Sequence, residues 1–496
     1  MEKNVSKKEE PELRLHIRQL MTALCPLLGV FVAGLSSGYS AVLLPQLNSP
    51  TSRHNRTSTN FTSDSDITVS SIDEESWIAS STILLMTPGC WLSGFLMEKL
   101  GRKRSTSVLF PVSLIGWLTI GLSNNIACLL IGRLISGLSA GAFGPVTTVY
   151  ISETSDPVLR GFLLGLITLT LSAGIFVVHF VGVWLHWRTT AHICTTFVFI
   201  SWLTCFMSRE SPTWLISKGS TDQALQSWVY LRGWGTLSEY QALQNSKNSR
   251  RTPAKRSVYS KLKRTLSSRR FLWPLGVLTV FFFTSQFSGF NVVVFYSVDM
   301  LMEVTGPEYA YLGTMIIDVI RLITCSVGCY LIRICNRRTL TLLSGCGTAS
   351  SLFLLSLSLY LNICRPWWPG FLLVLYIVFL TIGLAPLPWI LCGELFPRKF
   401  RGPGSGITSG LAFAFFFVVV KIAPAMFVAL QPHGTFAIYG VITVLGTGFL
   451  YLTLPETKDK TLQEVESAFD RKSSEFDAEN AEITTDKNRR IKHAET

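Results

Sequence analysis

The chain has 496 residues, of which 48% are hydrophobic and only 15% charged, with a mean hydropathy of +0.38. A soluble domain carries about 25% charged residues, so this composition excludes an ordinary water-soluble protein and points to many membrane spans. The formal net charge of +13 invites a nucleic-acid partner, but the basic residues follow membrane topology, which removes that inference.

In chain order, the polar start MEKNVSKKEEPELRLHIRQL reads as a cytosolic tail, 1–21. Six apolar segments follow, near 22–46, 76–97, 107–124, 126–151, 161–186 and 190–207. A polar stretch, 208–270, separates them from six more, near 271–297, 310–332, 339–361, 368–393, 404–430 and 435–454, before a polar tail, 455–496. The halves are thus 22–207 and 271–454. With the N-terminus in the cytosol, the inner segments hold 37 of the 44 Lys and Arg and the outer loops hold 4; Arg133, Arg321 and Lys421 remain within spans. That bias fixes the orientation and puts both termini inside. The loop 47–75 is then extracellular, and its NRT and NFT sequons make Asn55 and Asn60 candidate glycosylation sites. Within 208–270, TDQALQSWVYLRG reads as an amphipathic cytosolic helix, and the basic clusters beyond it suit anionic inner-leaflet lipid. Eleven scattered cysteines show no metal-ligand or disulfide spacing. No nucleophile–base constellation stands out, so the expectation is a non-enzyme without cofactor or metal.

The halves repeat. EKLGRKRS after the second span matches RICNRRTL after the eighth, ISETSDPVLRG matches CGELFPRKFRG, and RESPTWL matches LPETKDKTL. Glu153 precedes Arg160 by seven residues, as Glu394 precedes Arg401. Duplicated parallel halves of this kind place a substrate site between them at the membrane midplane. Arg102 with Glu153, and Arg337 with Glu394, pair a planar guanidinium with a carboxylate at the cytosolic mouth. With Arg160 and Arg401 they form a candidate gating set; the plainer alternative is that these arginines only set topology.

Together, Gly94-x-x-x-Glu98-Lys99-x-Gly101-Arg102-Lys103, Gly132-Arg133, Glu153 with Arg160-Gly161, ESPTWL, QFSGFN, APLPW, ELFPRKFRG and PETKDKTL resemble the sugar-porter branch of the major facilitator superfamily over nearly the whole chain. ESWIAS, the Arg-Leu of the eighth span and FFVVVK look most like insect facilitated trehalose transporter-like proteins. The resemblance implies an all-α membrane protein of twelve helices in two pseudo-symmetric six-helix halves. It implies a plasma-membrane transporter working as a monomer, with a small sugar and the bilayer as its partners. In such proteins the positions of Gln286, Asn291 and Trp389 bind sugar. Helix bracing and core packing are the bland alternatives. Gly289 would let the seventh span unwind so that both amides converge.

Departures from the family pattern matter too. Ser285, Thr168 and Thr381 stand where relatives carry a glutamine, a glutamine and an acid, and Phe413 and Phe416 replace a tryptophan and an asparagine. Arg321 stands where an amide is usual, with Asp318 at i−3 as its expected counter-charge. Arg321 lies twelve residues before Arg333, about 18 Å along a helix and so near the middle of a hydrocarbon core about 30 Å thick. A disaccharide or another polyol becomes plausible, as does a substrate-binding sensor with little flux, or an anionic solute. Proton-coupled relatives carry an aspartate after a Gly-Tyr pair; here SSGYSA puts Ser40 there, which implies facilitated diffusion. Arg133 is expected to brace the first half. Lys421 either snorkels outward or lines the cavity.

Overall fold

A computed structural model describes residues 11–48, 67, 69, 71–248, 269–306, 309–361, 367–396 and 401–456. Asn55 and Asn60 lie outside the described residues, as do parts of the long inner loop and the C-terminal tail. The described residues are almost wholly helical. Ten helical stretches are long and apolar enough to cross a membrane. Two physical reasons bring the spans to twelve. The helix Arg102–Gly121 begins with Arg102, Lys103 and Arg104, which lowers its hydropathy although its body is a span. The helix Arg401–Thr453 has 53 residues, about 80 Å if straight, more than twice the hydrocarbon thickness. It bends at Gln431 (φ 58°, ψ 168°), just before Pro432, where the proline forbids its neighbour a helical ψ. The eleventh and twelfth spans therefore meet at a corner rather than across a loop.

The first span runs Glu12–Asn48, so ten residues of the expected tail are helix. Gln19 explains the extension: it donates to Asp156 (2.8 Å) and to the Leu231 carbonyl (3.0 Å), tying the inner end of the helix to the inner loops. The second span is Ile72–Leu84 and Met86–Leu100, interrupted at Leu85. The fourth, fifth and sixth are Ile126–Thr154, Pro157–Trp184 and Trp187–Leu203. The seventh breaks into Arg269–Phe287, Phe290–Phe295 and Ser297–Thr305. The eighth and ninth are Ala310–Ile334 and Arg337–Tyr360, and the tenth breaks into Trp367–Ile382 and Leu387–Glu394.

Exposed tryptophans and aliphatic side chains such as Trp184, Ile115 and Leu445 stud the spans, as expected of a lipid-facing surface. Three inner helices, Pro212–Lys218, Thr221–Arg232 and Leu237–Asn248, bury Leu215, Ile216, Ala224, Trp228 and Tyr240 in a small core of their own. Arg232 there lies over Trp228 and reaches Asp156 at 3.2 Å. Burial holds its guanidinium below the usual value, and Asp156 pulls it back up. The two halves touch along two seams, second span against eleventh and fifth against eighth, and where the first span meets the outer parts of the seventh.

Candidate functional site

The seventh span supplies the amides. Gly289 sits at φ +87°, a left-handed conformation that ends the helix at Phe287 and restarts it at Phe290. The break turns Asn291 back so that its amide donates to Gln286 Oε1 at 2.5 Å, with Gln286 buried. Tyr376 holds the unwound segment by donating to the Ser288 carbonyl (2.9 Å). A Cβ at Gly289 would meet the Tyr439 ring at 2.7 Å. Gly289→Ala is therefore expected to cost about 1–3 kcal/mol for the backbone alone. It should abolish most uptake while lowering the thermal midpoint in detergent; wild-type values for both would show that the break does not position the amides.

Trp389 opens the second segment of the tenth span, where Pro386 and Pro388 remove backbone donors. Its half-exposed ring packs edge-on against Phe282 (4.8 Å) and lies tilted against Phe413 (5.8 Å). Phe416 turns away, edge-on to Phe295. Thr381 donates to Thr324 of the eighth span (2.8 Å). Ser285 is buried and its carbonyl accepts from Ser288. Thr168 lies in the seam with the eighth span, 3.8 Å from Cys329 Sγ, and donates to the Gly165 carbonyl.

Asp318 and Arg321 share a face of the eighth span, both fully buried, with Asp318 Oδ1 3.2 Å from Arg321 Nη1. That contact is an ion pair without hydrogen-bond alignment. Arg321 Nε and Nη1 and Asp318 Oδ1 have no hydrogen-bond partner among the described residues. Unpaired buried donors beside an unpaired acceptor suit a hydroxyl, which can both accept and donate. The Arg321 guanidinium also lies 5.7 Å from the centre of Phe290, next to Asn291. Asp318 has a second partner that spacing along the sequence does not reveal: Oδ2 is 2.5 Å from Nδ1 of His179 in the fifth span. A lone histidine within an apolar span was the available signal.

Arg133 is buried and donates to Ser40 Oγ and to the Ala79 carbonyl (3.1 Å), joining the fourth span to the first and second. No carboxylate faces it in these contacts. Lys421 does not stand alone: Nζ lies 2.6 Å from Asp73 Oδ1 and from Ser76 Oγ, over the Trp77 ring, and so bridges the halves at the end of the eleventh span where Asp73 is exposed.

At the matched loops the repeat is atomic. Arg102 donates to Glu153 (2.7 Å) and to the Met97 carbonyl; Arg337 donates to Glu394 (3.0 Å) and to the Ile332 carbonyl. Glu210 accepts from the backbone N–H groups of Arg102 and Lys103 (2.8 and 3.1 Å). Glu456 does the same for Arg337 and Arg338 (3.0 and 3.2 Å). These carboxylates cap the third and ninth spans, where free N–H groups and the helix dipole favour a negative charge. The sequence pointed to the matched RESPTWL and LPETKDKTL loops but not to this job for their glutamates. Each pair lies within one half. Arg160 donates to the Ser155 carbonyl (3.3 Å), and its Nε has no acceptor among the described residues; the Arg401 side chain lies outside the described ones.

Residues 20–469 match the family model described as sugar (and other) transporter. The chain belongs to the sugar transporter family. The transporter is 29% identical to the facilitated trehalose transporter Tret1 of Aedes aegypti over 90% of its own length, and it spans 54% of that longer protein. It is 28% identical to the facilitated trehalose transporter Tret1-2 homolog of Drosophila simulans, covering 92% of each chain. Its fold matches the partially occluded inward-open xylose transporter XylE of E. coli (TM-score 0.72, 17% identity, 88% of this chain and 100% of that one). It also matches the proton:xylose symporter XylE bound to 6-bromo-6-deoxy-D-glucose (TM-score 0.71, 20% identity, 93% and 100%). The major facilitator fold of twelve spans, expected from the sequence, is thereby established.

Proposed function

We propose that this transporter carries a neutral sugar, trehalose or a hexose, down its gradient across the plasma membrane. One observation carries the reading: the Gln286–Asn291 amide pair at the unwound Gly289. Two amides converging at a broken helix suit a polyhydroxylated ligand, and the half-exposed Trp389 ring beside Phe413 offers a face for its C–H surface. The names of the insect relatives favour trehalose. The orphan donors of Arg321 and acceptor of Asp318 fit a hydroxyl better than an anion, because Asp318 already offsets the cation.

Uniport follows from Ser40. Its hydroxyl faces Arg133 where a proton carrier would need a carboxylate, and a serine does not titrate in the physiological range. Monomeric function with both termini in the cytosol completes the proposal, which assigns no role as an enzyme. Radiolabelled trehalose, glucose and fructose uptake in oocytes, against water-injected controls, tests it. The expected result is saturable uptake of at least one sugar that a protonophore leaves unchanged. Binding of sugar without flux in proteoliposomes would instead make the protein a sensor, and protonophore-sensitive uptake would overturn the uniport.

A further inference from the structure

We propose that His179 and Asp318 form a proton-binding site between the two halves, and that its single proton fastens the outer part of the fifth span to the eighth. His179 Nε2 lies 2.9 Å from the Gly38 carbonyl oxygen, and Nδ1 lies 2.5 Å from Asp318 Oδ2. A carbonyl only accepts, so Nε2 must carry hydrogen. A neutral imidazole has one N–H, which leaves Nδ1 as a bare lone pair. The bond to Asp318 then needs one further proton. Either the carboxyl brings it and donates to Nδ1, or the imidazole holds it as a cation and donates to the carboxylate. The two descriptions contain the same number of protons. Remove that proton and two lone pairs face each other in a buried site, with His179 and Asp318 side chains only 2% and 1% exposed. That arrangement is repulsive, and burial leaves the low-dielectric surroundings little means to screen it.

The location makes the proton matter. His179 and Gly38 belong to the first half and Asp318 to the second. Arg321 Nη1, at 3.2 Å from the other carboxylate oxygen, keeps charge on the same spot. A cavity of about 10 Å³ abuts His179, lined by Ala41, Val42, Gly182, Val298 and Tyr311, just large enough for one water. All of these lie on the outer parts of the first, fifth, seventh and eighth spans. Other titratable groups on the packed elements are engaged elsewhere or stand further along. Tyr39 donates to the Trp187 carbonyl, Tyr296 to the Val420 carbonyl and Tyr376 to the Ser288 carbonyl. Cys325 contacts Ser172 (3.5 Å), and Asp299 of the seventh span interacts with Tyr296.

Alternating access requires the fifth and eighth spans to part on the outer side. The fastened form is complete at low pH and is lost as pH rises and the proton leaves. The transporter is thus tuned by external acidity without carrying a proton with each sugar, so the inference goes beyond the uniport and does not depend on which sugar moves.

The test needs no substrate. In the full-length transporter in proteoliposomes, Val298→Cys on the cavity wall is labelled with a membrane-impermeant methanethiosulfonate at a series of external pH values. The chain without that substitution gives the background. The thiol's own ionisation is corrected with Asp318→Asn, whose amide donates to Nδ1 and needs no titrating proton. Relative to that variant, labelling is expected to rise with pH by up to about tenfold per pH unit where the proton leaves, the most that one proton's linkage gives. His179→Gln should also lack the rise, and it decides the matter alone if Asp318→Asn fails to reach the membrane. A flat profile in the parent, or the same rise in His179→Gln, would overturn the proposal. Neither result bears on whether the protein moves sugar.

Discussion

Replacing Gln286 with alanine is expected to lower sugar uptake by about tenfold to a hundredfold at subsaturating sugar, with surface abundance unchanged. The residue is buried, and its side-chain oxygen accepts from Asn291. Truncation takes one amide from the sugar and leaves the Asn291 N–H₂ without its acceptor. Leaving a buried polar group unsatisfied costs about 1–3 kcal/mol, and each 1.4 kcal/mol is tenfold in affinity. The effect should fall on the half-saturating concentration more than on the maximal rate, because the site loses a contact rather than the ability to rearrange. Concentration-dependent uptake of the best substrate, normalised to biotinylated surface protein, reads it directly. Unchanged kinetics would reduce Gln286–Asn291 to a brace across the broken helix.

The second large effect is expected at the matched loops. Glu153→Gln with Glu394→Gln should cut the transport rate at normal surface level, by about five- to thirtyfold, as 1–2 kcal/mol shifts a two-state population. Glutamine keeps the shape and the acceptor oxygen but loses the charge that strengthens the bonds from Arg102 and Arg337. Both pairs are only partly exposed, at 13–27%, so screening weakens them less than it does an open surface pair. Each pair sits inside one half, so the mechanism is rigidity of that half's inner end rather than a bolt thrown across the mouth. Rates equal to the parent's in the double variant would remove any gating role from these residues.

Much of this architecture could be read from the chain because it rests on local rules. Twelve apolar runs, a basic inner face and three matched loops follow from hydropathy and spacing, and Gly289 announced its own break. What spacing could not deliver are contacts made between spans. His179 and Asp318 are 139 residues apart and Lys421 and Asp73 are 348 apart; nothing in either neighbourhood names the other. Pairing at i, i+3 made Arg321 the obvious partner of Asp318, yet the hydrogen bond goes to His179 and the arginine gets only a charge contact. Arg133 shows the reverse case: a motif placed it, and the structure supplied the hydroxyl of Ser40 as its acceptor.

The glutamates that cap the third and ninth spans give each half a clasp. Glu210 comes just after the sixth span and Glu456 just after the twelfth, yet both fasten to backbone near the start of a span three earlier. Each six-helix unit therefore buckles its own last segment back to its middle, and it does so without borrowing a residue from the other. The units are tied off like two separate parcels. Among the described residues, each hydrogen bond between them along the seams, such as Trp91 to the Gly406 carbonyl, has a side chain on at least one side, which leaves one free to rock against the other while keeping its shape.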